Sequence, residues 1–149
     1  MVDPQSVRKA VADAGFTVDD FLEMPGLPTP MAVWQPFILV SATPTVRIPY
    51  ADPDADVRVD NEWWRLCVHN GTLGADGTML LAVEGAGQLP WLRVRVGDPR
   101  PRASAVRLPE EAGGFVALSP DGRASTYVSS EEWETWIFAS PTPSADTSA

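Results

Sequence analysis

The sequence predicts an α+β domain: a mainly antiparallel twisted sheet or partial barrel with two short N-terminal helices and one C-terminal helix. Three observations predict it. A chain of 149 residues with 44% hydrophobic content can enclose one continuous core. Capping residues and helical periodicity mark both ends of the chain. Between them, runs rich in Val, Ile, Thr, Trp and Phe are separated by turn pairs such as Asn70-Gly71, Asp76-Gly77 and Asp121-Gly122.

Taken in order, Asp3 is placed to cap a helix with Pro4 at its first position, Val7, Ala10, Val11 and Ala14 recur on one face, and Gly15 ends it. A second helix is expected from Thr17, which can cap it with Asp20 at the third helical position, while Phe16 and Phe21 form a hydrophobic staple. Pro25, Pro28 and Pro30 terminate it. Asp13, Asp19, Asp20 and Glu23 would repel phosphate, which argues against this helix pair reading DNA.

Strands are expected over 32–41, 45–50, 57–69 with a break near Asn61, 78–84, 90–96, 103–108, 114–118 and 123–128. Pro36 confines the first of these to an edge or a bulge. Ser129 and Glu132 have capping-box spacing, with Val128 and Trp133 as a staple. Trp133, Trp136 and Ile137 would then close the core from a C-terminal helix. Residues 1–30 read as a helical segment with a Pro-rich linker, and 31–140 as a β-rich core ending in that helix, the two forming one domain. Residues 141–149 read as a disordered tail.

Twenty acidic residues against eleven basic ones, net charge −9, oppose general binding to nucleic acid or to an anionic membrane surface. The N-terminus lacks a signal peptide's apolar stretch, and no run approaches the ~20 apolar residues of a membrane span. One cysteine makes no internal disulfide. A cytoplasmic protein, or one assembled in a virion, is expected. Ten arginines against one lysine resemble the usage of a GC-rich bacterial or phage genome.

The segment NEWWRLCVH, residues 61–69, holds the only cysteine and the only histidine. Read as a strand, it places Trp63, Arg65, Cys67 and His69 on one face. Thiol catalysis would further need a group to orient His69 and an oxyanion hole, and neither has a signature here. No metal site is expected, since a structural zinc takes four ligands in which Cys and His predominate. Asp52, Asp54 and Asp56 have the alternation of a calcium loop, but Val57 stands where its glycine belongs and Trp63 where its glutamate belongs. GTLGADGT and EGAGQ match no phosphate or dinucleotide fingerprint, so no cofactor is expected.

Arg93, Arg95, Arg100, Arg102 and Arg107 form a basic patch with one acid, Asp98, among them. If the strands at 62–69 and 90–96 flank that at 78–84, then Trp63, Arg65, His69, Trp91, Arg93 and Arg95 share an outer face, extended by Arg100 and Arg102. Trp and Arg are enriched at interaction hot spots. The function expected is a non-enzymatic protein-binding module of bacterial or phage origin, an acidic inhibitor or immunity-type protein or a virion accessory subunit, that meets an acidic partner surface. The alternative is a small enzyme or anionic-ligand-binding protein using Cys67, His69 and the arginines.

Overall fold

In the computed structural model, which describes residues 3–141 apart from 24, 40, 110 and 112, Asp3 accepts a hydrogen bond from the Gln5 amide at 3.1 Å and Pro4 opens helix α1 (Pro4–Asp13). Gly15, at φ +105°, then turns the chain into strand β1 (Thr17–Leu22). Thr29 caps helix α2 (Pro30–Ile38), its hydroxyl oxygen accepting from the Ala32 amide at 3.2 Å. Strand β2 (Val46–Pro49) leads to helix α3 (Ala55–Asn70), which stops at Gly71 in the left-handed conformation, φ +89°. The rest is β3 (Thr78–Val83), β4 (Trp91–Arg95), a 3-10 turn (Ala103–Ala105), β5 (Gly114–Leu118), β6 (Ser125–Ser130) and β7 (Glu134–Ala139).

The strands form one antiparallel sheet in the order β1-β4-β3-β5-β6-β7-β2. The α+β class and the antiparallel sheet agree with the expectation; the sheet is open, with β1 and β2 at its edges. Strand alternation gives it two apolar faces. Met79, Leu81, Val83, Leu92, Val94, Phe115, Ala117, Val128 and Ile137 pack against Val7 and Val11 of α1 and Val59, Trp63, Leu66 and Cys67 of α3. On the other face Leu80, Trp91, Val116, Leu118, Tyr127 and Phe138 pack against Val33, Trp34 and Phe37 of α2. Among the described residues no helix is long and apolar enough to cross a membrane.

Several expected elements change type. Thr17–Leu22 is a strand, because pairing with β4 offsets whatever the Thr17 cap would contribute, and its acids find partners across the fold: Asp19 with Arg93 and Arg95, Asp20 with Arg8. Residues 30–38 are helical despite Pro36 inside the helix, with the Thr29 cap and Pro30 fixing its start and Val33, Trp34 and Phe37 packed on the sheet. Residues 55–70 are a helix because Val59, Trp63, Leu66, Cys67 and Asn70 make one continuous buried stripe at helical spacing. Residues 103–108 are a short turn and coil, held to α3 by the Ser104 amide, which donates to Asp60 at 2.8 Å.

The C-terminal helix expected from Ser129 is instead strand β7. A tight turn joins it to β6, closed by the Glu131 amide on the Glu134 carbonyl at 2.9 Å. The pattern of 134–139 has period two: Ile137 faces α3 while Trp136 and Phe138 face α2. Trp133, at the turn, is 77% exposed and closes no core. The tail expectation falls on 142–149, outside the described residues, apart from its first residue, Pro141.

Asn70 locks the end of α3 to the adjacent ends of β6 and β7. Its amide nitrogen donates to the Ser125 and Ser140 carbonyls at 3.1 and 3.2 Å, while its oxygen accepts from the Thr72 amide at 3.0 Å and the Thr72 hydroxyl at 2.7 Å. The pair Asn70-Gly71 is thus a helix end rather than a hairpin turn.

Candidate functional site

The residues expected to share one outer face are divided between the two sides of the sheet. Trp63 is fully buried beneath α3, with its ring against Phe16 and Phe115 and its indole N–H donating to the Thr126 hydroxyl at 3.1 Å. Arg65 and His69 are exposed on the same helix, Arg65 bonded to Glu62 at 2.6 Å. Trp91 is 2% exposed on the opposite face, its indole donating to the Pro28 carbonyl at 2.8 Å. Arg93 and Arg95 do share that face and are exposed, but both reach Asp19, each at 3.3 Å. Arg100 lies over the Trp64 ring at 5.3 Å, and Arg102 donates to the Asp13 carbonyl at 3.5 Å. The shared face required residues 57–69 to be a strand; on a helix, it does not form.

Nor do Cys67 and His69 converge. Two positions apart on a helix they are separated by roughly 200° around its axis. Cys67 is fully buried against Thr126, its Sγ 3.6 Å from that hydroxyl, and burial pushes its thiol up to about 12. Only the thiolate is nucleophilic. Native protein at neutral pH is therefore expected to leave Cys67 unmodified by iodoacetamide over times that label it completely in denaturant; mass spectrometry reads the result, and rapid native labelling would contradict this burial. Among the described residues no three His, Cys, Asp or Glu side chains converge as metal ligands.

The structure forms instead a cleft that the sequence did not reveal. It lies between the first turns of α2 and the α2-facing side of β3, β5 and β6, and encloses about 500 Å³. Pro30, Met31 and Trp34 supply one wall, Ala82, Val116 and Tyr127 the floor, and the loop after β3, through Glu84, Gly85, Gly87 and Gln88, one end. Local sequence makes this room. Thr29 and Pro30 start α2 where Trp34 stands edge-on to Tyr127, with ring centroids 6.4 Å apart. Phe37, one turn on from Val33, stacks on the same tyrosine at 6.0 Å and holds the helix at this height. Met31 reaches toward Gly87 across the opening, its methyl 3.7 Å from where a Cβ at Gly87 would stand, an ordinary contact distance.

Two polar groups meet in this apolar setting. The Tyr127 hydroxyl donates to Glu84 Oε2 at 3.2 Å. Burial raises the half-buried Glu84 carboxyl above the usual glutamate range; the Tyr127 bond opposes the shift, and the negative charges of Glu111 and Glu131 add to it. Burial likewise raises Tyr127. Because folded Glu84 keeps its proton to higher pH than the unfolded chain does, its contribution to stability is greatest below the ordinary glutamate pKa and is lost as pH rises through the raised one. Glu84→Gln is therefore expected to gain stability relative to the native chain as pH rises from about 4 to 8. Urea melts across that range measure it, and a difference independent of pH would contradict the raised carboxyl.

The fold is an α+β domain with an apolar cleft on one sheet face. No protein-family model matches the chain, and no curated protein or solved structure is significantly similar to it.

Proposed function

We propose that this protein is a non-enzymatic binding module that holds a side chain of a protein partner in the cleft beneath α2. The observation that carries the reading is the cleft itself: an aromatic-walled opening of about 500 Å³ with two convergent polar groups, Glu84 and Tyr127. Binding sites for small groups have this make-up. Met31, 45% exposed at its rim, adds a flexible, polarisable contact suited to a protein surface. On the same sheet face, the exposed Arg93 and Arg95 reach Asp19 and offer guanidinium groups that suit an acidic region of that partner. An acidic inhibitor or immunity-type protein and a virion accessory subunit, of bacterial or phage origin, are the roles that such a module and its composition fit, in the cytoplasm or in an assembled particle.

A photo-crosslinking residue at Met31, expressed in the native host, tests the reading against the same residue at Lys9, which is exposed on α1 across the sheet. A discrete crosslinked protein from position 31, absent from position 9 and lost when Ala82→Arg fills the cleft, is the expected result. Crosslinks of equal pattern from both positions, or none from position 31, would remove the cleft from the function.

A further inference from the structure

Glu84 ends an apolar cleft, where its carboxylate is the charged group of the lining. Glu111 and Glu131 both push its carboxyl toward the neutral form. The Glu111 carboxylate lies against the Gly85 backbone, where a Cβ would meet it at 2.9 Å, and Glu131 lies in the turn after β6. Tyr127 donates one hydrogen bond to Oε2. A neutral group filling the cleft would complete the desolvation of Glu84 without compensation, and an anion would meet its carboxylate, with the negative charges of Glu111 and Glu131 behind it. A cation carried on an apolar stem satisfies both halves of the site. Lys and Arg side chains have that form, a methylene stem that packs on apolar surface and a charged head that seeks an acceptor.

Resting on the binding-module reading, we infer that the group received by the cleft is a basic side chain of the partner, arginine or lysine, with its stem between Trp34, Ala82 and Val116 and its cation at the Glu84 carboxylate. The aromatic rings add to this preference, since Trp34 and Tyr127 present π surfaces within the same walls. Charge complementarity selects the occupant, and nucleic acid or an anionic lipid surface is disfavoured by the same carboxylates.

The test uses the full chain, labelled with ¹⁵N, and three acetylated pentapeptides that differ at the central position between two leucines: arginine, citrulline as its uncharged isostere, and norleucine. Shifts of the Trp34 indole and of the Gly85 and Gly87 amides report the cleft. The arginine peptide is expected to bind about tenfold or more tightly than the citrulline peptide, as a charge-assisted hydrogen bond implies. That ratio is expected to fall to near one in Glu84→Gln and to persist in Asp54→Asn, which removes an exposed acid elsewhere. Equal binding of all three peptides at the cleft would overturn the cation preference while leaving the cleft as a binding site. A preference for arginine that survives Glu84→Gln would assign it to the general negative charge and overturn the inference. Failure of every peptide to shift the cleft resonances would overturn the inference and the binding-module reading together.

Discussion

Replacing Trp63 with alanine is expected to lower stability by about 3–5 kcal/mol, the cost of emptying a fully buried tryptophan site. Trp63 sits where α3, α1 and the sheet meet. Its ring contacts Phe115 at 5.4 Å, Phe16 at 6.1 Å and Trp64 at 6.5 Å between centroids. Alanine would also leave the Thr126 hydroxyl without the indole N–H and with only the weak contact from the Cys67 sulfur. That hydroxyl is fully buried, so the loss adds to the cavity term rather than being repaired by water. Urea denaturation followed by circular dichroism measures the effect. A change below about 1 kcal/mol would mean that Trp63 is not a core residue, and would restore the outer-face role its sequence neighbours suggested.

Ending the chain after Ser130 is expected to abolish cooperative folding. The deletion removes β7, to which β2 is paired at the sheet edge, and with it Ile137 and Phe138 from the two opposed cores. Losing buried Ile and Phe side chains costs roughly 5–10 kcal/mol together, which is comparable to the whole stability of an ordinary domain. Trp133→Ala, one turn away, is the control. Its side chain is 77% exposed, and the substitution is expected to change stability by no more than about 0.5 kcal/mol. Thermal melts of the two variants decide between the strand and the core-closing helix that the Ser129 capping pattern suggested. A cooperative transition in the truncated chain, or a large loss in Trp133→Ala, would favour the helix.

Elements whose signals are local were legible. Asp3, Pro4 and Gly15 bracket α1 because a cap, a preset φ and a positive-φ stop act within a few residues. The β5–β6 turn was legible for the same reason: Asp121 accepts from the Ser119 hydroxyl at 2.7 Å and the Arg123 amide at 3.0 Å, and Gly122 takes φ +77°. Burial with alternation marked β3 and β4, where Met79, Leu81, Leu92 and Val94 face one way.

The segment 55–70 misled because WWRLCVH is rich in residues that favour strands, and over seven residues its apolar positions alternate. The helical stripe from Val59 to Asn70 was present, but spans twelve residues and includes a polar member, Asn70, whose value lies in bonds to Ser125 and Ser140 far along the chain. Strand preference spans about 1 kcal/mol, while burying Trp63 and Leu66 is worth several times that. The reverse happened at Ser129–Glu132: a cap worth about 1 kcal/mol yielded to strand pairing on both sides of β7.

The candidate site shows the same division. Glu84 and Tyr127 lie 43 residues apart and meet through a register that pairs β3 with β5 and β5 with β6. Trp34 reaches them from a helix that its own sequence, interrupted by Pro36, presents as an edge strand. The only local trace was the Glu84-Gly85-Ala86-Gly87 turn, which marks a loop without naming what it faces. The sequence by itself determined the class, since apolar content, turn pairs and charge are sums over the chain: an acidic α+β domain built on an antiparallel sheet. The tertiary structure decided which ambiguous segments became helices, which tryptophans were buried and where a carboxylate met an apolar cleft, because each depends on burial against residues distant in sequence, whose energy exceeds any local preference.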